Sequence, residues 1–151
     1  MQEAVSARTP VHLWIVGILS LLWNAFGCYD YLMTRMRNTD YLASMMPSVD
    51  PNEMLAWVDS FPIYAQIGWG LGVWMGLLAS VLLLLRNRWA VWAFGLSLVG
   101  AILGLGYQIL GTSPPAGMDD MMAKVMPAVI ILVAVGLFLY ARAQERKGLL
   151  R

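Results

Sequence analysis

The chain reads as an all-α membrane protein, a four-transmembrane-helix bundle with a short outer amphipathic helix between the first and second spans. Three observations predict this. Sixty per cent of its 151 residues are hydrophobic and 13% are charged, against about 45–50% and ~25% in soluble domains. The charges are bunched, leaving long stretches almost without them. Four of those stretches reach the ~20 apolar residues needed to cross hydrocarbon.

The expected spans are 11–33, 61–85, 89–110 and 122–141, in a single transmembrane domain covering 1–151. The first is too long for a signal-peptide core and lacks a small-x-small cleavage site, so a retained span is expected. Between the first two lies the longest connection. Span one is expected to continue as helix past the membrane until Pro47 stops it. A short helix then starts at Asp50, a good N-cap, with Pro51 at the first position and Glu53 placed for a capping box. Met54, Leu55, Val58 and Phe61 share one face of it and Glu53, Asp59 and Ser60 another, which suits an interfacial helix or a lid. Pro62 suits the first turn of span two. Arg86-Asn87-Arg88 forces spans two and three into a tight antiparallel hairpin. Pro114, Pro115 and Gly117 break the chain before span four, where Pro127 predicts a kink or a loosened first turn.

Charge sets the orientation. Arg8, Arg86, Arg88, Arg142, Arg146, Lys147 and Arg151 fall on one side, and Arg35, Arg37 and Lys124 on the other. Seven against three puts both termini in the cytoplasm. Trp14, Trp89, Trp92 and Tyr140 then form an inner aromatic belt, with Tyr29, Tyr31, Trp57, Tyr64 and Tyr107 in an outer one.

Lipid is as apolar as leucine, so small residues that let backbones approach are the expected helix contacts. Gly68, Gly72, Gly76 and Ser80 recur every fourth residue in span two, and Gly100 and Gly104 do so in span three. These stripes can join helices within the bundle or between subunits. Gly68-x-Gly70-x-Gly72 is not a nucleotide loop, because no strand precedes it.

Polar residues within spans are costly and mark candidate sites. Asn24 lies ~20 Å into span one and Gln66 ~8 Å below the outer end of span two. Together with Asp30, Tyr107 and Gln108 they fall in the outer half of the bilayer. Convergence on an outward-facing pocket is one reading; separate interhelical hydrogen bonds are the other. Met118, Met122 and Met126 cluster near the outer end of span four, and thioethers bind Cu(I). Methionine is equally a common filler of apolar helices.

Absences exclude more. A single cysteine, Cys28, rules out an intrachain disulfide, and a single histidine, His12, rules out paired axial haem ligation within one chain. No span carries a glutamate of the kind small four-span exporters need. No Ser/His/Asp set or H-E-x-x-H motif is present. The net charge of +1 offers no field for nucleic acid. No catalysis and no cofactor are therefore expected. The expected partners are the lipid bilayer and either a membrane protein or further copies of the chain.

The segment HLWIVGILSLLWNAFGCYDYLMTRMR from His12 to Arg37 carries a resemblance, with Phe61-Pro62, the GWGLGVW run from Gly68, the LLLLRNR hairpin and the terminal LYARAQERKGLLR. These resemble a family of small four-span inner-membrane proteins of proteobacteria, sometimes loosely labelled sugar transporters. The resemblance implies a bacterial inner membrane and brings no activity or functional residues with it. The leading expectation is a non-catalytic accessory or scaffold protein. Its rival is a small oligomeric carrier or channel.

Overall fold

The computed structural model describes residues 8–151. They form six helices and no strand: α1 (Val11–Arg35), α2 (Thr39–Met45), α3 (Pro51–Asp59), α4 (Ile63–Leu84), α5 (Trp89–Leu110) and α6 (Met121–Arg146). Helices α1, α4, α5 and α6 are each long and apolar enough to cross a bilayer. Their lengths of roughly 33–39 Å exceed the ~30 Å of hydrocarbon. Large apolar side chains cover their outer surfaces; Val11, Ile15, Leu19 and Leu22 on α1 are all more than half exposed. Water does not tolerate a patch of that extent on a soluble protein, whereas lipid solvates it. The chain is a multi-pass membrane protein. Four crossings leave both termini at one end of the bundle, here the terminal end, with α2, α3 and residues 111–120 at the other, the loop end.

The four long helices pack in sequence order, α1 on α4, α4 on α5 and α5 on α6. The α4–α5 contact is the tightest, and the glycine stripes make it. A Cβ on Gly100 would stand 2.5 Å from the Gly72 nitrogen and 2.6 Å from the Gly68 carbonyl oxygen. No side chain fits there, so the two backbones touch. Ser97 Oγ then donates to the Gly72 carbonyl at 2.7 Å across the same seam. On α1, Leu13, Gly17, Ser20 and Cys28 form the buried stripe, spaced to face α4.

The terminal end is closed. Leu13, Leu83 and Phe94 form a core there with Ala141 and Leu150. His12 Nδ1 and Tyr140 Oη lie 2.6 Å apart and join α1 to α6. After α6, Gly148 takes a positive φ of 71° and turns the chain back. Residues 149–151 then lie along the α4–α5 turn. Arg88 N donates to Arg151 O at 3.0 Å, Arg151 N to Arg86 O at 2.7 Å, and Arg86 Nε to Leu149 O at 3.1 Å. The sequence gives this clasp no signal beyond Gly148, and α6 runs to Arg146 where the span is expected to end at 141.

The loop end departs further from expectation. Span one does not run on to Pro47. It stops at Arg35; Arg37 adopts a positive φ of 56°, and Asn38 caps a separate helix, accepting from Tyr41 N at 3.0 Å. Short polar residues can satisfy the backbone locally and so divert the chain. Asp50 caps α3 as expected, with Pro51 at its first position; its side chain accepts from Asn52 N at 2.7 Å and Glu53 N at 3.3 Å. Pro62 is the N-cap of α4 and lies outside its first turn. Trp57 does not stand in an exposed aromatic belt. It is buried with Val49, Val58, Phe61 and Met118, and its Nε1 donates to Thr112 Oγ1 at 3.0 Å. Helix α3 is thus a lid on the bundle. Gly117 (φ +94°) closes the other side of the roof, where a Cβ would collide with the Ser48 carbonyl oxygen.

Candidate functional site: a roofed apolar cavity

Beneath the roof the bundle is hollow. A cavity of about 500 Å³ extends between α1, α4, α5 and α6, within the ~300–1,000 Å³ typical of small-molecule sites. Its wall on α6 runs from Met122 to Leu137, roughly 22 Å along the helix axis. The cavity is therefore an elongated slot along α6. Residues Met46 to Val49, Gly117 and Met118 form the roof, and Phe94 and Leu137 the floor, where the terminal-end core begins. The remaining side lies between α1 and α6, the two ends of the packing row. Trp23 and Phe26 on α1 and Met126 on α6 stand there, each lining the cavity and each exposed. The cavity therefore opens sideways, toward the lipid.

The polar residues singled out in the spans do not converge. Asn24 and Asp30 line the cavity, whereas Gln66, Tyr107 and Gln108 do not. Gln66 is fixed at the start of α4, where its Oε1 accepts from both Arg35 terminal nitrogens at 3.2 Å and its Nε2 donates to Phe61 O at 2.9 Å. Tyr107 belongs to an edge-to-face aromatic set with Phe61 and Tyr64 below α3. Gln108 is half-buried on α5.

Asn24 ties α1 to α4. Its Nδ2 donates to Ser20 O at 2.9 Å and Ser80 Oγ at 3.0 Å, while Ser20 Oγ and Ser80 Oγ lie 2.6 Å apart. The side-chain oxygen of Asn24 sits where a Cβ on Gly76 would be, so Gly76 makes room for it. The stripe of Gly68, Gly72, Gly76 and Ser80 is consumed inside the chain, by α5 at Gly68 and Gly72 and by α1 at Gly76 and Ser80.

Asp30 stands near the mouth. Its Oδ1 accepts from Tyr41 Oη at 2.8 Å, and Tyr29 meets the Tyr41 ring edge-on at 5.5 Å. Burial raises the Tyr41 pKa, and the hydrogen bond to the Asp30 carboxylate raises it further, so the phenol stays a donor well above the ordinary phenol range. Asp120 lies across the mouth as the N-cap of α6, its Oδ1 accepting from Ala123 N at 2.8 Å. Sequence reading missed Tyr41, because its meeting with Asp30 depends on the break at Arg37.

Met118, Met122 and Met126 all line the cavity, joined by Met45 and Met46. Thioether side chains are flexible and polarizable, and they adapt to apolar ligands of varied shape. Among the described residues no three His, Cys, Asp or Glu side chains are grouped to hold a metal ion.

Comparison with protein-family models, with curated proteins and with solved structures finds no match for this chain.

Proposed function

We propose that the chain is a non-catalytic accessory protein of the bacterial inner membrane that binds the apolar chain of a membrane-dissolved molecule in its cavity. The observation that carries this reading is the cavity itself: apolar, about 500 Å³, roofed by Met46 to Val49 with Gly117 and Met118, and open sideways between α1 and α6. A site meant for a water-soluble solute would need polar groups along its length. Below the mouth this one offers chiefly Asn24 and Ser97; the Asn24 amide nitrogen and the Ser97 hydroxyl already donate within the bundle, which leaves the Asn24 side-chain oxygen as an acceptor. The carrier reading loses support for the same reason, since three of the five residues expected in its vestibule lie elsewhere.

The seven-to-three distribution of basic residues supports cytoplasmic termini, which puts the cavity in the outer leaflet. The family resemblance supports the inner membrane. With the glycine stripes used internally, the exposed apolar faces of the long helices, those of α1 and α6 beside the opening among them, are available to a larger complex or a second copy.

The test is native mass spectrometry of the protein released from its own membranes. One chain-bearing molecule per protomer is expected. Ala134→Trp, which places an indole inside the cavity wall, should abolish its retention without unfolding the bundle. Equal retention by the wild type and by a folded Ala134→Trp variant would overturn the proposal.

A further inference from the structure

The cavity has a charged end, and only one sign of charge. Of the side chains that line it, two are ionisable, Asp30 and Asp120, and both are acids. They reach it from α1 and from the start of α6, on either side of the opening. Each already uses one oxygen: Asp30 Oδ1 takes the Tyr41 hydroxyl and Asp120 Oδ1 the Ala123 amide. The second oxygen of each accepts no hydrogen bond from the described residues, and neither is a sealed-off buried atom. The basic side chains of this end point elsewhere. Arg35 binds Gln66 and lies over the Tyr31 and Trp69 rings at 5.5 and 5.7 Å. Arg37 pairs with Asp59 at 2.9 Å. Lys124, in the first turn of α6, is absent from the lining.

We infer that the bound molecule is an amphiphile with an ammonium-bearing head group, held at the mouth by Asp30 and Asp120 while its apolar chain lies along the slot. The inference rests on the chain-binding function above and specifies its ligand. Two carboxylates at the mouth, the half-buried Asp30 and the exposed Asp120, attract a monocation. They repel a head group that carries only negative charge, such as a sulfate, with no cation in the lining to answer it. Trp23 and Phe26 add ring faces on the α1 wall, and an ammonium is drawn to such faces within ~6 Å of their centres. An ammonium is carried both by lysophosphatidylethanolamine from the bilayer, beside its phosphate, and by free alkylammonium compounds.

The experiment uses the full chain in phosphatidylcholine nanodiscs and nitroxide-labelled 16-carbon chains that quench tryptophan fluorescence. The probes carry trimethylammonium, maltoside or sulfate heads, and the folded Ala134→Trp variant gives the background. The ammonium probe should bind about tenfold or more tightly than the sulfate probe. Asp30→Asn combined with Asp120→Asn should erase that preference while leaving the maltoside probe unchanged. Asparagine remains a good N-cap, so α6 keeps its first turn. Equal binding of the ammonium and sulfate heads, or a preference that survives the double substitution, overturns the head-group inference and leaves chain binding standing. Quenching no greater than the Ala134→Trp background for every probe overturns both. A further arm sets lysophosphatidylethanolamine against hexadecyltrimethylammonium as competitors. Stronger displacement by the lysolipid assigns the ligand to the bilayer, and stronger displacement by the alkylammonium assigns it to a free amphiphile.

Discussion

The two ends of the bundle are built from similar apolar residues and end in different states. At the terminal end Leu13, Leu83 and Phe94 are buried in one core, α1 and α6 are joined through His12 and Tyr140, and the last three residues bind the α4–α5 turn. At the loop end the same two helices flank a cavity, and the roof above it is a separate core around Trp57, Val58 and Phe61. Packing at one end and a void at the other cannot follow from hydrophobicity, since lipid and protein interior are equally apolar. It follows from shape: small residues and hydrogen-bonded pairs close one end, and the interlocked roof holds the other open.

The largest expected effect breaks what both ends share. Gly100→Leu puts a side chain where the α4 backbone runs. Overpacking of this kind should cost about 3 kcal/mol or more, read as loss of folded protein in mild detergent by size-exclusion chromatography. Next, Leu150→Ala empties a site in the terminal-end core and should lower stability by about 2–3 kcal/mol, measured by denaturant unfolding in micelles. Ligand retention should be unchanged if the ends are independent; loss of both would show that the clasp also holds the cavity. Tyr140→Phe removes the bridge to His12 and should cost about 1 kcal/mol, with a broader spin-label distance distribution between α1 and α6 at that end. Asp59→Ala breaks the half-exposed pair with Arg37 and should change stability by less than ~1 kcal/mol. Smallest of all, Met122→Leu with Met126→Leu should leave alkyl-chain affinity within about twofold, because leucine and methionine fill similar volumes. Cu(I) bound near one equivalent and lost in that double variant would instead assign these thioethers to a metal.

How much of this was legible in the sequence depended on distance along the chain. The spans were, because ~20 apolar residues leave a lone segment no other way to satisfy its backbone within lipid. The glycine stripes were legible as contacts, though not as contacts within one chain; both choices obey the same close-packing rule. The break at Arg37 was not, since Arg37 and Asn38 sit in a run that tolerates helix, and the turn is fixed by Asn38 capping α2 and by Tyr41 reaching Asp30. Trp57 reads as an interface residue until Thr112, 55 positions away, supplies its acceptor. The cavity was illegible, being space left among four helices and open between α1 and α6, which lie far apart in the sequence. Asn24 and Asp30, singled out in the sequence, do line the cavity, but the residues that share it with them include methionines, aromatics and small or aliphatic side chains, which look like ordinary span residues.

The most direct test of a hollow loop end above a closed terminal end is the position of a bound chain. Crystals grown with a terminally brominated hexadecyltrimethylammonium should show one anomalous bromine peak per protomer beside Phe94 and Leu137, at the cavity floor. Bromine found only against the outer faces of the helices, with Phe26 and Met126 closed over an empty interior, would contradict the account.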